Sequence, residues 1–78
     1  MNIEKHIIGI LENFYLKCEF DTENLIIKSN IGNTVIYSWN NIKDLWSTLV
    51  FYGNATNDEG IEAIILLIIN RIENIDNK

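Results

Sequence analysis

The sequence contains no proline, one cysteine, one histidine and one methionine. Without proline no position forces a break, so the ends of elements fall to glycine, asparagine and capping side chains. A lone cysteine, Cys18, excludes an internal disulfide. With His6 in a different segment, it also cannot assemble a Cys/His metal site unaided. Basic residues are few: six Lys and Arg stand scattered against eleven Asp and Glu, for a net charge of −5. That balance lacks the positive footprint of a direct DNA or RNA binder. The longest apolar run, residues 63–69, falls far short of the roughly 20 residues that cross a bilayer. Nothing at the N-terminus combines a basic region, an apolar core and a small-residue cleavage site, so a cytosolic setting is expected. The phosphate-binding glycine loop and the dinucleotide fingerprint are missing, and no hydroxyl or thiol stands in a nucleophile motif. These gaps point to a non-enzymatic protein without cofactor or metal.

What is present is apolar. Hydrophobic residues make up 47% of the 78 positions and charged residues 22%, the composition of a globular chain rather than a disordered one. A chain of this length folds as one domain, 1–78, and buries only about 60% of its unfolded surface. The organising stretch is 60–75, where Ile61, Ile64, Ile65, Ile68, Ile69, Ile72 and Ile75 recur at helical spacing. Ala63, Leu66 and Leu67 spread apolar surface around the same cylinder. This helix therefore has a second face, to be covered by the rest of the domain, by a second copy or by another partner.

Upstream, residues 2–13 read as a helix capped by Asn2, with Ile3, Ile7, Ile10, Leu11 and Phe14 on one stripe. Gly9 in its middle suggests close approach to a neighbouring element. From Phe14 the period becomes two: Phe14, Leu16, Cys18 and Phe20 pack, while Tyr15, Lys17 and Glu19 face solvent. After turn residues 21–24 a second strand runs 25–29, and after a turn with Gly32 a third runs 34–39, placing Val35, Tyr37 and Trp39 on one face. Asn40 or Asn41 caps the next helix, carrying Ile42, Leu45, Trp46, Leu49 and Val50 and ending at Gly53. Thr56 and Glu59 then form a capping box for the last helix, whose tail from Asp76 is expected to fray. The predicted fold is a single α+β domain: helix, three-stranded antiparallel meander and two helices, with the C-terminal helix central.

Two groups of acids stand out as candidate partner-binding residues: Glu19, Asp21 and Glu23 around the first turn, and Asp58, Glu59 and Glu62 at the start of the last helix. The second group also suits the positive end of the helix dipole. Carboxylates so clustered can meet the lysines and arginines of a partner's nucleic-acid groove. Tyr15, Phe51 and Tyr52 would supply exposed aromatic anchors, and Leu66 and Leu67 a dimer face. His6 and Cys18 read as structural residues.

The opening Met1-Asn-Ile3 of the first helix, the hairpin Leu25-Ile-Ile-Lys-Ser-Asn-Ile-Gly-Asn-Thr-Val-Ile-Tyr-Ser38 and the element order resemble small acidic phage-encoded anti-CRISPR inhibitors. The resemblance implies a phage or mobile-element protein acting in the cytoplasm of the host bacterium. Its partner would be a bacterial defence nuclease or ribonucleoprotein complex, blocked in some members by DNA mimicry, with dimers in the wider group. Two other classes fit the residues: a homodimeric structural or regulatory module, and an antitoxin or immunity-type inhibitor of a basic toxin.

Overall fold

The computed structural model describes residues 2–77; the side chain of Phe20 is also outside the description. The expectations placed on Met1, on Lys78 and on the packing of Phe20 therefore lie outside the described residues. The order is α1 (Ile3–Asn13), β1 (Lys17–Phe20), β2 (Asn24–Lys28), β3 (Thr34–Ser38), α2 (Trp39–Ser47), a π-helical turn (Thr48–Tyr52) and α3 (Asn57–Asp76). It is the expected α+β domain, with an antiparallel sheet in the order β1-β2-β3.

α1 starts where its cap places it, with Asn2 Oδ1 accepting from the Lys5 N–H at 3.1 Å. Ile7 and Leu11 are completely buried, one turn apart on the same stripe. Gly9 differs from expectation, because it is exposed and a Cβ built there would meet nothing within 4 Å. Among the described residues no neighbour approaches it. The helix also ends before Phe14 instead of passing the chain straight into a strand. Phe14 is its C-cap, and Tyr15 takes a left-handed φ of 62° that turns the backbone toward β1. Both aromatic side chains are thrown outward, so Phe14 is half exposed rather than packed. Glycine or asparagine normally marks such a stop, and a tyrosine gives no warning of it.

In the sheet, Cys18 pairs with Ile27, Ile27 with Val35, and Leu25 with Tyr37. Alternation then sorts the faces. Leu25, Ile27 and Val35 are buried on the inner face, with Cys18 and Tyr37 partly covered there. Lys17, Glu19, Lys28, Thr34 and Ile36 stand exposed on the outer face. Helices cover one face only. β3 stops at Ser38, one residue before the sequence suggests, and Trp39 becomes the first residue of α2. Ser38 takes the N-cap position, without a side-chain cap bond, in place of Asn40 or Asn41. The tryptophan is the reason for the early turn: its N–H donates to Glu23 O at 2.9 Å and its indole Nε1 to Asp21 O at 3.1 Å, which ties the β1–β2 turn to the start of α2. Trp39 and Ile42 are buried beneath that junction.

α3 carries the expected capping box: the Glu59 N–H donates to Thr56 Oγ1 at 3.1 Å, and the Thr56 N–H to Glu59 Oε1 at 3.3 Å. Ile61, Ile64, Ile65, Ile68 and Ile72 form one buried stripe against the sheet-side core, with Ile69 and Ile75 partly covered. Gly60 permits the tight crossing with α2, since a Cβ there would stand 3.0 Å from Trp46 Cδ1 and 3.1 Å from Val50 Cγ2. At the other end Asp76 does not fray. Its Oδ1 accepts from Ser29 Oγ at 2.9 Å and from Asn33 Nδ2 at 2.6 Å, fastening α3 to the β2–β3 turn. The second face of α3 is left open, with Leu66 61% and Leu67 49% exposed.

Candidate protein-binding surfaces

After Ser47 the helix widens, and the Gly53 N–H reaches back five residues to Thr48 O at 3.0 Å. The wider ring rotates the following side chains relative to an α-helix. Phe51 and Tyr52 consequently stand 70% and 85% exposed. Phe51 is braced edge-on by Trp46, with ring centroids 6.1 Å apart at 85°. The same Trp46 donates its Nε1 to Asn57 O at 3.3 Å, fixing the aromatic turn beside the first residues of α3. Asn54, at a left-handed φ of 57°, and the Ala55 N–H donating to Leu49 O then return the chain to Thr56. Asp58 and Glu59 follow directly, both exposed. Glu59 is occupied by the capping box, whereas Asp58 forms no ion pair or hydrogen bond among the described residues.

The other acids are placed differently. Asp21 is a turn former: its Oδ1 accepts from the Glu23 N–H at 2.7 Å and the Asn24 N–H at 2.6 Å. Glu23 borders a small cleft with Trp39 and Lys43. Lys43 Nζ pairs with Glu4 at 2.7 Å and, by that hydrogen bond, holds the Glu4 carboxyl below its ordinary value. Glu19 lies on the outer sheet face opposite Ile26, flanked by Lys17. Tyr15, 83% exposed, stands at the opposite end of β1 from Asp21, and the strand between them is about 13 Å long. Glu62, one helical turn beyond Asp58 and Glu59, adjoins them and also borders a groove with Ile10, Phe14, Ile65 and Leu66. The partner-binding candidates thus occupy separate places. Phe51 and Tyr52 lie on the turn that Trp46 ties to the start of α3, where Asp58 and Glu59 stand; Asp21 and Glu23 sit beside the start of α2; Tyr15 and Glu19 lie at either end of the β1 approach; and Glu62, one turn beyond Asp58, reaches the α1–α3 groove beside Leu66.

Family models, curated proteins and solved structures give no significant match to this chain. Its chemistry is therefore read from its own residues. Burial, with Glu12 nearby, pushes the Cys18 thiol up to about 11, so little thiolate forms near neutrality. Among the described residues no three His, Cys, Asp or Glu side chains are grouped to hold a metal ion, and no helix is long and apolar enough to cross a membrane.

Sequence reasoning missed part of the α1–α3 face. Ile10 and Phe14 border it from α1, Leu66 stands at its centre, and Ala63, Leu67 and Arg71 continue it along α3. The sequence places Phe14 both on the α1 stripe and at the start of the alternating run, packed in either case, whereas it is half exposed. Its position beside a second aromatic, at the point where the helical stripe runs out, was the available signal. Arg71 lies with its guanidinium carbon 5.5 Å from the centroid of the Tyr37 ring and has no carboxylate partner among the described residues.

Proposed function

We propose that this chain is a non-enzymatic inhibitor that binds a bacterial CRISPR nuclease or its ribonucleoprotein complex in the host cytoplasm, with the aromatic turn and its acidic flank as the contact surface. The observation that carries the reading is the presentation of Phe51 and Tyr52, 70% and 85% exposed, on a π-helical turn that Trp46 ties to Asn57, the residue before Asp58 and Glu59. Leaving a large apolar side chain outside the core forgoes roughly 1.5–3 kcal/mol of burial. A partner surface recovers that burial. Tyrosine and tryptophan dominate binding hot spots because they offer large contact area with few rotamers to freeze. The neighbouring carboxylates suit lysines and arginines that otherwise hold phosphates, which directs the surface toward a basic groove.

Titration into DNA-cleavage reactions of purified CRISPR nuclease–guide RNA complexes tests the reading. The wild-type chain is expected to stop cleavage stoichiometrically in a susceptible complex. Inhibition should weaken at about 0.5 M salt, where exposed charges are screened beyond roughly 4 Å. Phe51→Ala with Tyr52→Ala, and separately Asp58→Lys, should each abolish or strongly weaken it. Cleavage untouched by the wild-type chain across the complexes, or inhibition that survives both variants, would overturn the proposal.

A further inference from the structure

The open face of α3 has two unlike margins. On the margin beside α1, Glu62 and Leu66 stand in line at i, i+4, and Glu73 follows one more pair of turns along; Glu62 and Glu73 both border grooves with Phe14. On the margin above Tyr37, Leu67 and Arg71 stand in line, again at i, i+4. Small or polar residues, Ala63, Asn70 and Asn74, run between them. One margin is acidic and the other basic, and each carries an exposed leucine at nearly the same height.

We propose that a second copy of this chain covers this face, packed side by side about a two-fold axis running along α3. Such an axis sets the acidic margin of each copy against the basic margin of the other. Leu66 then meets Leu67 of the second copy, Arg71 meets Glu73, and Leu67 faces the groove formed by Ile10 and Phe14. The contact is isologous, so every pairing occurs twice. An axis perpendicular to α3 would instead set acidic margin against acidic margin, with Glu62 opposite Glu73 of the second copy. Charge complementarity selects the parallel arrangement. The scale is also adequate: α3 has 20 residues and is about 30 Å long, and α1 and α3 together are about 20 Å across, giving about 600 Å² in plan. Side-chain relief raises this toward the roughly 800 Å² per subunit of stable interfaces. This surface is separate from the aromatic turn and leaves Phe51 and Tyr52 accessible in both copies.

Sedimentation across a wide protein concentration range, with circular dichroism as the folding control, tests the arrangement. The wild-type chain should sediment at twice its monomer mass and dissociate on dilution. Arg71→Glu places like charges at both symmetric contacts and should weaken association about tenfold or more. Adding Glu73→Arg to that variant should restore it. Phe51→Ala with Tyr52→Ala should leave the mass unchanged, which separates this test from that of nuclease inhibition. A concentration-independent monomer up to near-millimolar protein would overturn the dimer. A dimer indifferent to Arg71→Glu, or weakened without rescue by Glu73→Arg, would overturn the parallel pairing.

Discussion

Leu67 and Ile68 are neighbours in α3, about 100° apart around the helix, and their environments are opposite. Ile68 is 1% exposed within the core, while Leu67 is 49% exposed on the open face. The contrast extends along the helix. β-branched isoleucines fill the stripe at 61, 64, 65, 68 and 72, whereas the two γ-branched leucines stand outside it. Hydrophobicity alone therefore does not separate the buried face from the open one here. Both faces carry large apolar side chains, but only the isoleucine stripe is matched by side chains from α1, α2 and the sheet. The other sets Leu66 and Leu67 among Asn70, Arg71 and Asn74, left uncovered by the described residues, consistent with the limited burial open to so short a chain.

Four substitutions probe this contrast, in falling order of effect. Ile64→Asn puts an unpaired amide into the buried stripe and should cost about 4 kcal/mol or more, enough to leave little folded protein in a denaturant titration. Asp76→Ala removes the acceptor of two side-chain hydrogen bonds and should cost about 1–3 kcal/mol, with hydrogen exchange accelerating first in the last turns of α3. Leu66→Asn, on the open face, should leave the melt of the dilute chain within about 0.5 kcal/mol of wild type. Lys43→Ala should cost only a few tenths of a kcal/mol at neutral pH, because the Lys43–Glu4 pair is partly exposed at 48% and 22%. The sign with pH follows from the lowered Glu4 carboxyl. Its contribution is fully present above the ordinary value of 4.5 and is lost as pH falls through the lower folded value, so wild type and Lys43→Ala should converge in acid.

Much of this arrangement was legible in the sequence because it is local. Asn2 before an apolar stripe, Thr56 three residues before Glu59, and alternation through 25–28 and 34–37 each carry their signal within a few residues. The misreadings have a different origin. Tyr15 holds a left-handed conformation normally taken by glycine or asparagine, so the strand was expected from Phe14, whereas it starts at Lys17. Trp39 leaves the strand because its indole hydrogen-bonds Asp21, eighteen residues away. Asp76 is fixed by Ser29 and Asn33, more than forty residues distant, so a tail that looked free is fastened. Gly9 suggested a close neighbour that the fold does not supply. The π-helical turn was hidden because its five residues, TLVFY, continue the apolar helical pattern without interruption. Of the candidate site, the aromatic and acidic residues at 51–59 were legible as a group. The separation of Tyr15, Glu19, Asp21 and Glu23 from them depended on tertiary placement.

The most direct test of the two-faced helix is a matched pair of denaturant titrations at dilute protein, Leu67→Ala against Ile68→Ala. The substitutions delete similar side chains from adjacent positions of one helix and share the same helix-propensity direction. Ile68→Ala should lose about 2–5 kcal/mol, and Leu67→Ala less than about 1 kcal/mol. Equal losses at the two positions would contradict the account, because they would show the open face to be part of the monomer's core.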